Sequence, residues 1–159
     1  MNEKPFQEIT IKEISDRADL VRQTIYRNFK SKEDILEHHI NDIYNDFYIR
    51  ISTKNDIGFD ELLLFYFTFW ADKKEFLKQL IDNNVFNILL NVHLKYIDIL
   101  SKNKQIKRII DAKDAYFDYF SAGGLWFLLK KWIDDDLKKS PQEMTNLVLK
   151  FYEKNHSYE

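Results

Sequence analysis

Three glycines and two prolines are all that punctuate 159 residues. Tight turns draw on both residue types, so a chain this poor in them cannot supply the many hairpins of an all-β fold. Between these breaks Leu, Ile, Lys, Glu and Asp recur at helical spacing, and the fold class expected is all-α. One stretch, LLLFYFTFW at residues 62–70, is rich in aromatic residues of strand propensity. A lone strand needs a partner, and no second β-like run with turn signals lies nearby, so a helix is expected there too.

Helix starts are written three times in one grammar: Thr10 with Glu13, Ser31 with Asp34, and Ser140 with Glu143, the last with Pro141 at the first helical position. In each a hydroxyl can accept from an unpaired backbone N–H, and an acid sits on the positive end of the helix. A short helix from Ile11 puts Ile11, Ile14 and Ala18 on one face; Asp19 and Leu20 interrupt; a second short helix puts Val21, Ile25 and Phe29 inside. A third, from Ser31, carries Leu36, Ile40, Ile43, Phe47 and Ile51 on one stripe and is long enough to leave a small head and enter a larger body. Further helices are expected at residues 59–71, 73–82 and 85–100, from about 111 to 135, and from 141 to about 155. The head is assigned residues 1–46 and the body residues 47–159, with no internal repeat and no low-complexity linker.

Charge singles out the head. The chain carries a net charge of −2, yet five basic residues and one acid lie between Arg17 and Lys32. Any affinity for nucleic acid must come from that local patch, Arg17, Arg22, Arg27, Lys30 and Lys32, rather than from the whole molecule. Two short helices joined by a tight turn and followed by a capped third make the helix-turn-helix layout, whose second helix lies in the major groove. Arg22, Gln23 and Arg27 then project from the outer face of that helix, where Arg suits guanine and Gln adenine edges. Tyr26, Lys30 and Lys32 suit phosphates. An ordinary helical hairpin with a solvated charged face is the competing reading.

The same residues resemble the DNA-binding domain of the TetR family of bacterial transcriptional regulators. The run appears as Ile9-Thr10, then Ile14-Ser15-Asp16-Arg17-Ala18, then Thr24-Ile25-Tyr26-Arg27-Asn28-Phe29, and finally Lys30-Ser31-Lys32-Glu33-Asp34-Ile35. Two positions depart from the family pattern: Asp19 stands for the usual turn glycine and Val21 for the usual capping serine. The resemblance implies a homodimer with its two recognition helices in successive major grooves of a near-palindromic operator. Thr10, Thr24, Tyr26 and Lys32 would then hold the DNA backbone, with Arg22, Gln23 and Arg27 near bases. The family places a full helix before the Ile-Thr start, where this chain has MNEKPFQE. The expectation is a shortened head whose inner residues Ile14, Ala18, Ile25 and Phe29 lack part of their cover. Residues 119–144, YFSAGGLWFLLKKWIDDDLKKSPQEM, resemble the short members of the family related to dihydroxyacetone kinase regulators.

Gly123 and Gly124 lie inside a predicted helix, where each costs roughly 1 kcal/mol relative to Ala, so something must approach closely there. That is either a neighbour within the subunit or, as the resemblance implies, a dimer interface built with Leu147, Phe151 and Trp132 as a four-helix bundle. The aromatic residues Phe65, Phe69, Trp70, Phe76, Phe86, Phe117 and Phe120 either fill a core or line a ligand pocket with Asn87, Asn91 and His93 as polar points.

Other classes find little support. With no cysteine there is neither a disulfide framework nor a thiolate metal site, and a cytoplasmic home is the simplest. The start MNEKPFQEIT has no signal-peptide pattern, and the longest apolar run, residues 116–133, is broken by Asp118, Lys130, Lys131 and the Gly pair, so no membrane association is expected. His38 and His39 point about 100° apart on a helix and cannot share a metal. Residues 134–136, all Asp, read as solvated loop, and no catalytic motif is present, so neither enzyme nor cofactor is expected. The function expected is a sequence-specific DNA-binding regulator, a repressor released by a small-molecule or protein effector. The alternatives are a dimeric regulator answering to a protein partner and an interaction protein that no longer binds DNA.

Overall fold

The computed structural model describes residues 3–54, 56–102 and 115–154. Among these the chain forms a short 3-10 turn, Phe6–Glu8, and eight α-helices. In order they are α1 (Ile11–Arg17), α2 (Arg22–Asn28), α3 (Lys32–Ser52), α4 (Phe59–Ala71), α5 (Lys74–Asp82), α6 (Phe86–Ser101), α7 (Ala115–Asp134) and α8 (Pro141–Lys154). The fold is all-α, and the aromatic stretch at residues 62–70 lies within α4. The expected outer limits of the last two helices, near residues 111 and 155, fall outside the described residues.

The capping chemistry explains where helices begin. At α1 the Thr10 hydroxyl accepts from the Glu13 N–H while the Glu13 carboxylate accepts from the Thr10 N–H at 2.8 Å. Ser140 and Glu143 repeat this reciprocal pair at α8, and Ser31 accepts from the Asp34 N–H at α3. The three Asp residues are not simply solvated, because each meets a lysine: Asp134 with Lys130, Asp135 with Lys131, and Asp136 with Lys74. Neutralisation by lysine offsets their unfavourable position at the negative end of α7.

α1 and α2 pack on each other, and α3 runs unbroken through residue 46, so head and body share one helix. In the body α3 packs on α6, α6 on α7, α5 on α7 and α4 on α8. Ile40, Phe67, Trp70, Leu77, Leu80, Leu89 and Leu129 are fully enclosed at the centre. Phe6 joins this core from the turn before α1. In the head Ile25 is buried, Ile14 and Phe29 are half-buried, and Ala18 is exposed.

Val21 departs from the inner position that helical spacing gives it. Asp19 takes a left-handed φ of 52°, a conformation Asp accepts better than most residues, and the chain leaves that turn with Val21 still extended and 72 % exposed. The helical period therefore starts one residue later, at Arg22.

Candidate nucleic-acid interface

Position on a short helix decides which head residues are presented. α2 buries Ile25 and turns Arg22, Gln23, Tyr26 and Arg27 outward, with Lys30 exposed just beyond its end and Thr24 half-buried. Among the described residues no hydrogen bond, ion pair or ring contact joins the side chains of Arg22, Gln23, Tyr26, Arg27 or Lys30 to another. Lys12, on the first turn of α1, is exposed and unpartnered in the same way. It lies outside the basic cluster of residues 17–32. Its position five residues from Arg17 on the helix that crosses the DNA backbone in this motif was the available signal.

The other two cations of the cluster are already engaged. The Arg17 guanidinium pairs with Glu3, which holds that carboxyl below its usual range and raises the guanidinium. Lys32 is half-buried and donates to three backbone carbonyls, those of Phe6 and Gln7 at 2.7 Å and of Ile9 at 3.1 Å. An ammonium has three N–H donors, and all three are committed. Its expected phosphate contact is therefore corrected to an internal one. Thr10 is committed as well, since its hydroxyl donates to Glu13 at 2.8 Å. The Glu13 carboxyl, bonded by Lys4 and by the Thr10 backbone and hydroxyl, is held down at about 2.

The head is thus a basic, unpartnered helix face on a helix-turn-helix scaffold, joined by α3 to a helical body. Residues 1–38 match the family described as bacterial regulatory proteins, tetR family, and residues 58–154 match a transcriptional regulator C-terminal region. The chain belongs to the TetR family. No curated protein and no solved structure matches it significantly. A TetR-family chain is a transcription regulator and not an enzyme, and family members bind operator DNA and dimerise. No helix among the described residues is long and apolar enough to cross a membrane, and no group of His, Cys, Asp or Glu residues there is arranged to hold a metal.

In the body of this TetR-family regulator the residues expected to line a pocket have differing surroundings. Phe65 and Phe69 stack on each other, and Phe47 meets the first tilted and the second edge-on. Phe86 is buried against Trp126, Asn87 is exposed, and Phe117 meets Tyr152. Phe120 is 73 % exposed on the outer face of α7. His93 is buried, with its Nδ1 2.7 Å from the Tyr44 hydroxyl and its ring beside Tyr66. Burial lowers its pKa to about 4, against a smaller opposing pull from the Ala122 carbonyl.

The expected interface residues also divide. Trp132 is buried in its own subunit, with its ring against Phe67 and its indole N–H donating to the Lys139 carbonyl at 2.8 Å, so it is not available to a partner. A Cβ added at Gly123 or Gly124 would meet nothing within 4 Å. Among the described residues no neighbour inside the subunit requires those glycines. They lie on the outer side of α7 with Tyr116, Tyr119, Phe120 and Phe127, at three- and four-residue spacing, whereas Ala122, Leu125, Leu129 and Ile133 face inward. Phe151 of α8 is exposed and Leu147 half-buried.

Proposed function

We propose that the chain is a sequence-specific repressor that binds a near-palindromic operator as a homodimer and is released by an effector acting on the body. The observation that carries this reading is the face of α2, where Arg22, Gln23, Tyr26 and Arg27 stand exposed and without partners. Charged and amide groups gathered on one helix face without internal partners suit an external one, and the duplex major groove admits a single helix. Arg22 and Gln23, at the start of the helix, read base edges. Arg27, expected near bases from the sequence, lies in the last turn of α2 and is reassigned, with Lys12, Tyr26, Thr24 and Lys30, to phosphates and sugars. In the dimer, release follows from any shift that moves the two recognition helices off the spacing of about one helical turn, roughly 34 Å.

The homodimer is built on the outer face of α7 with Leu147 and Phe151 of α8. Gly123 and Gly124 let a second copy of α7 approach closely, and the exposed rings of Tyr116, Phe120 and Phe127 supply the apolar contact. Selecting bound fragments from the source genome and measuring their affinity tests the function. A shared inverted repeat bound in the nanomolar range supports it, and enrichment of no common sequence would sink it.

A further inference from the structure

The substantial helix packings place α1 and α2 against each other and not against α4 to α8. Beyond α3 itself, the segment Phe6–Ile9 joins head to body, and it is anchored at both ends. On the body side the Phe6 N–H donates to Asn83 Oδ1 at 2.6 Å, and Gln7 Nε2 donates to the Asn83 carbonyl at 2.7 Å. Asn83 is buried at the C-terminal cap of α5, and its Nδ2 donates to the Gln79 carbonyl at 2.8 Å, so its carboxamide is held at both atoms. The Phe6 ring is buried in the body core. On the head side Lys32, the first residue of α3, takes the carbonyls of Phe6, Gln7 and Ile9 on its three donors and lies 4.9 Å from the centre of the Phe6 ring. Ile9 runs directly into Thr10, the cap of α1.

We propose that Asn83 and Lys32 are positioning residues for operator recognition, which clamp residues 6–9 as a strap and so fix the angle of the recognition helix to the body. The proposal rests on the operator-binding reading and assigns Lys32 a role different from a phosphate contact. A movement of the α5–α6 turn at Asn83 is carried through the strap to the start of α3 and the cap of α1. In a dimer the same angle sets the spacing of the two recognition helices.

The test uses the full chain, with Lys32→Met and Asn83→Ala. Operator affinity is measured over a range of salt concentrations, and amide exchange is followed without DNA. Each variant is expected to lose affinity by about tenfold or more, with the salt slope of the native chain retained. A lysine on a phosphate would instead lower the slope by roughly 0.9 per contact. The double variant loses little more than either single one, because both cut one strap. Without DNA, amides of residues 11–28 exchange faster in both variants while those of α4 and α6, residues 59–71 and 86–101, do not change. A reduced slope for Lys32→Met, native affinity for Asn83→Ala, or unchanged head exchange in both variants each overturns the strap. Failure of the native chain to bind any duplex overturns the operator reading instead, and exchange still decides the strap.

Discussion

A valine stands at the start of the recognition helix, 72 % exposed, and no side chain caps the N–H groups behind it. Its extended backbone is the one a capping serine adopts, so Val21→Ser is expected to stabilise the chain by about 1 kcal/mol. Urea unfolding at fixed protein concentration checks this, and an unchanged midpoint would count against it. The neighbouring residues separate by role. Arg22→Ala and Gln23→Ala should each relax preference at one operator position by roughly 1 to 3 kcal/mol, while Lys30→Ala weakens all sequences alike. Competition with single-base operator variants reads the difference, and the reverse pattern would show the roles wrongly assigned. The outward residues of α2 were legible in sequence because helical spacing alone fixes their side. What Lys32 and Arg17 do was not legible: their partners lie 14 to 26 residues away, and those of Lys32 are backbone carbonyls, which carry no residue signature.

At the scale of elements, the reciprocal Ser or Thr and Glu pairs gave the starts of α1 and α8 directly, because both partners lie within four residues. Interruptions such as Asp19 were readable for the same reason, but the exact phase after the turn was not, and Val21 fell on the wrong side. α7 has two apolar faces, and a helix with apolar residues on both faces gives no clear phase from its sequence. Its inner face, through Leu125, Leu129 and Trp132, became distinguishable from its outer face only once α5 and α6 were seen packed on it. If the outer face is the dimer contact, Gly124→Leu should yield monomer or loss of solubility, since the added side chain occupies the space a second α7 needs. Sedimentation at micromolar concentration checks this. A dimer unchanged by Gly124→Leu and equally by Phe127→Glu would remove α7 from the interface.

At the scale of the whole molecule, His93 on α6 joins three helices of the body, touching Tyr44 of α3 and Tyr66 of α4. Burial keeps both tyrosines protonated and pushes the His93 pKa from 6.5 to about 4. A base whose folded pKa is lowered stabilises the fold above its unfolded pKa, and that contribution is lost as pH falls from 6.5 towards 4, by at most about 1.4 kcal/mol per pH unit. Glu13, lowered from 4.5 to about 2, acts only in the more acidic window. Urea midpoints between pH 7 and 5 should therefore fall in the native chain and stay nearly level in His93→Gln; parallel slopes in the two would contradict this. The proposed function rests on the basic face of α2, and salt dependence of duplex binding tests it most directly. Lys12, Arg27 and Lys30 from each subunit of a dimer should give a fall in log K with log salt of slope roughly −5. Binding that is indifferent to salt, or equally weak for every duplex, would show that the face does not meet operator DNA.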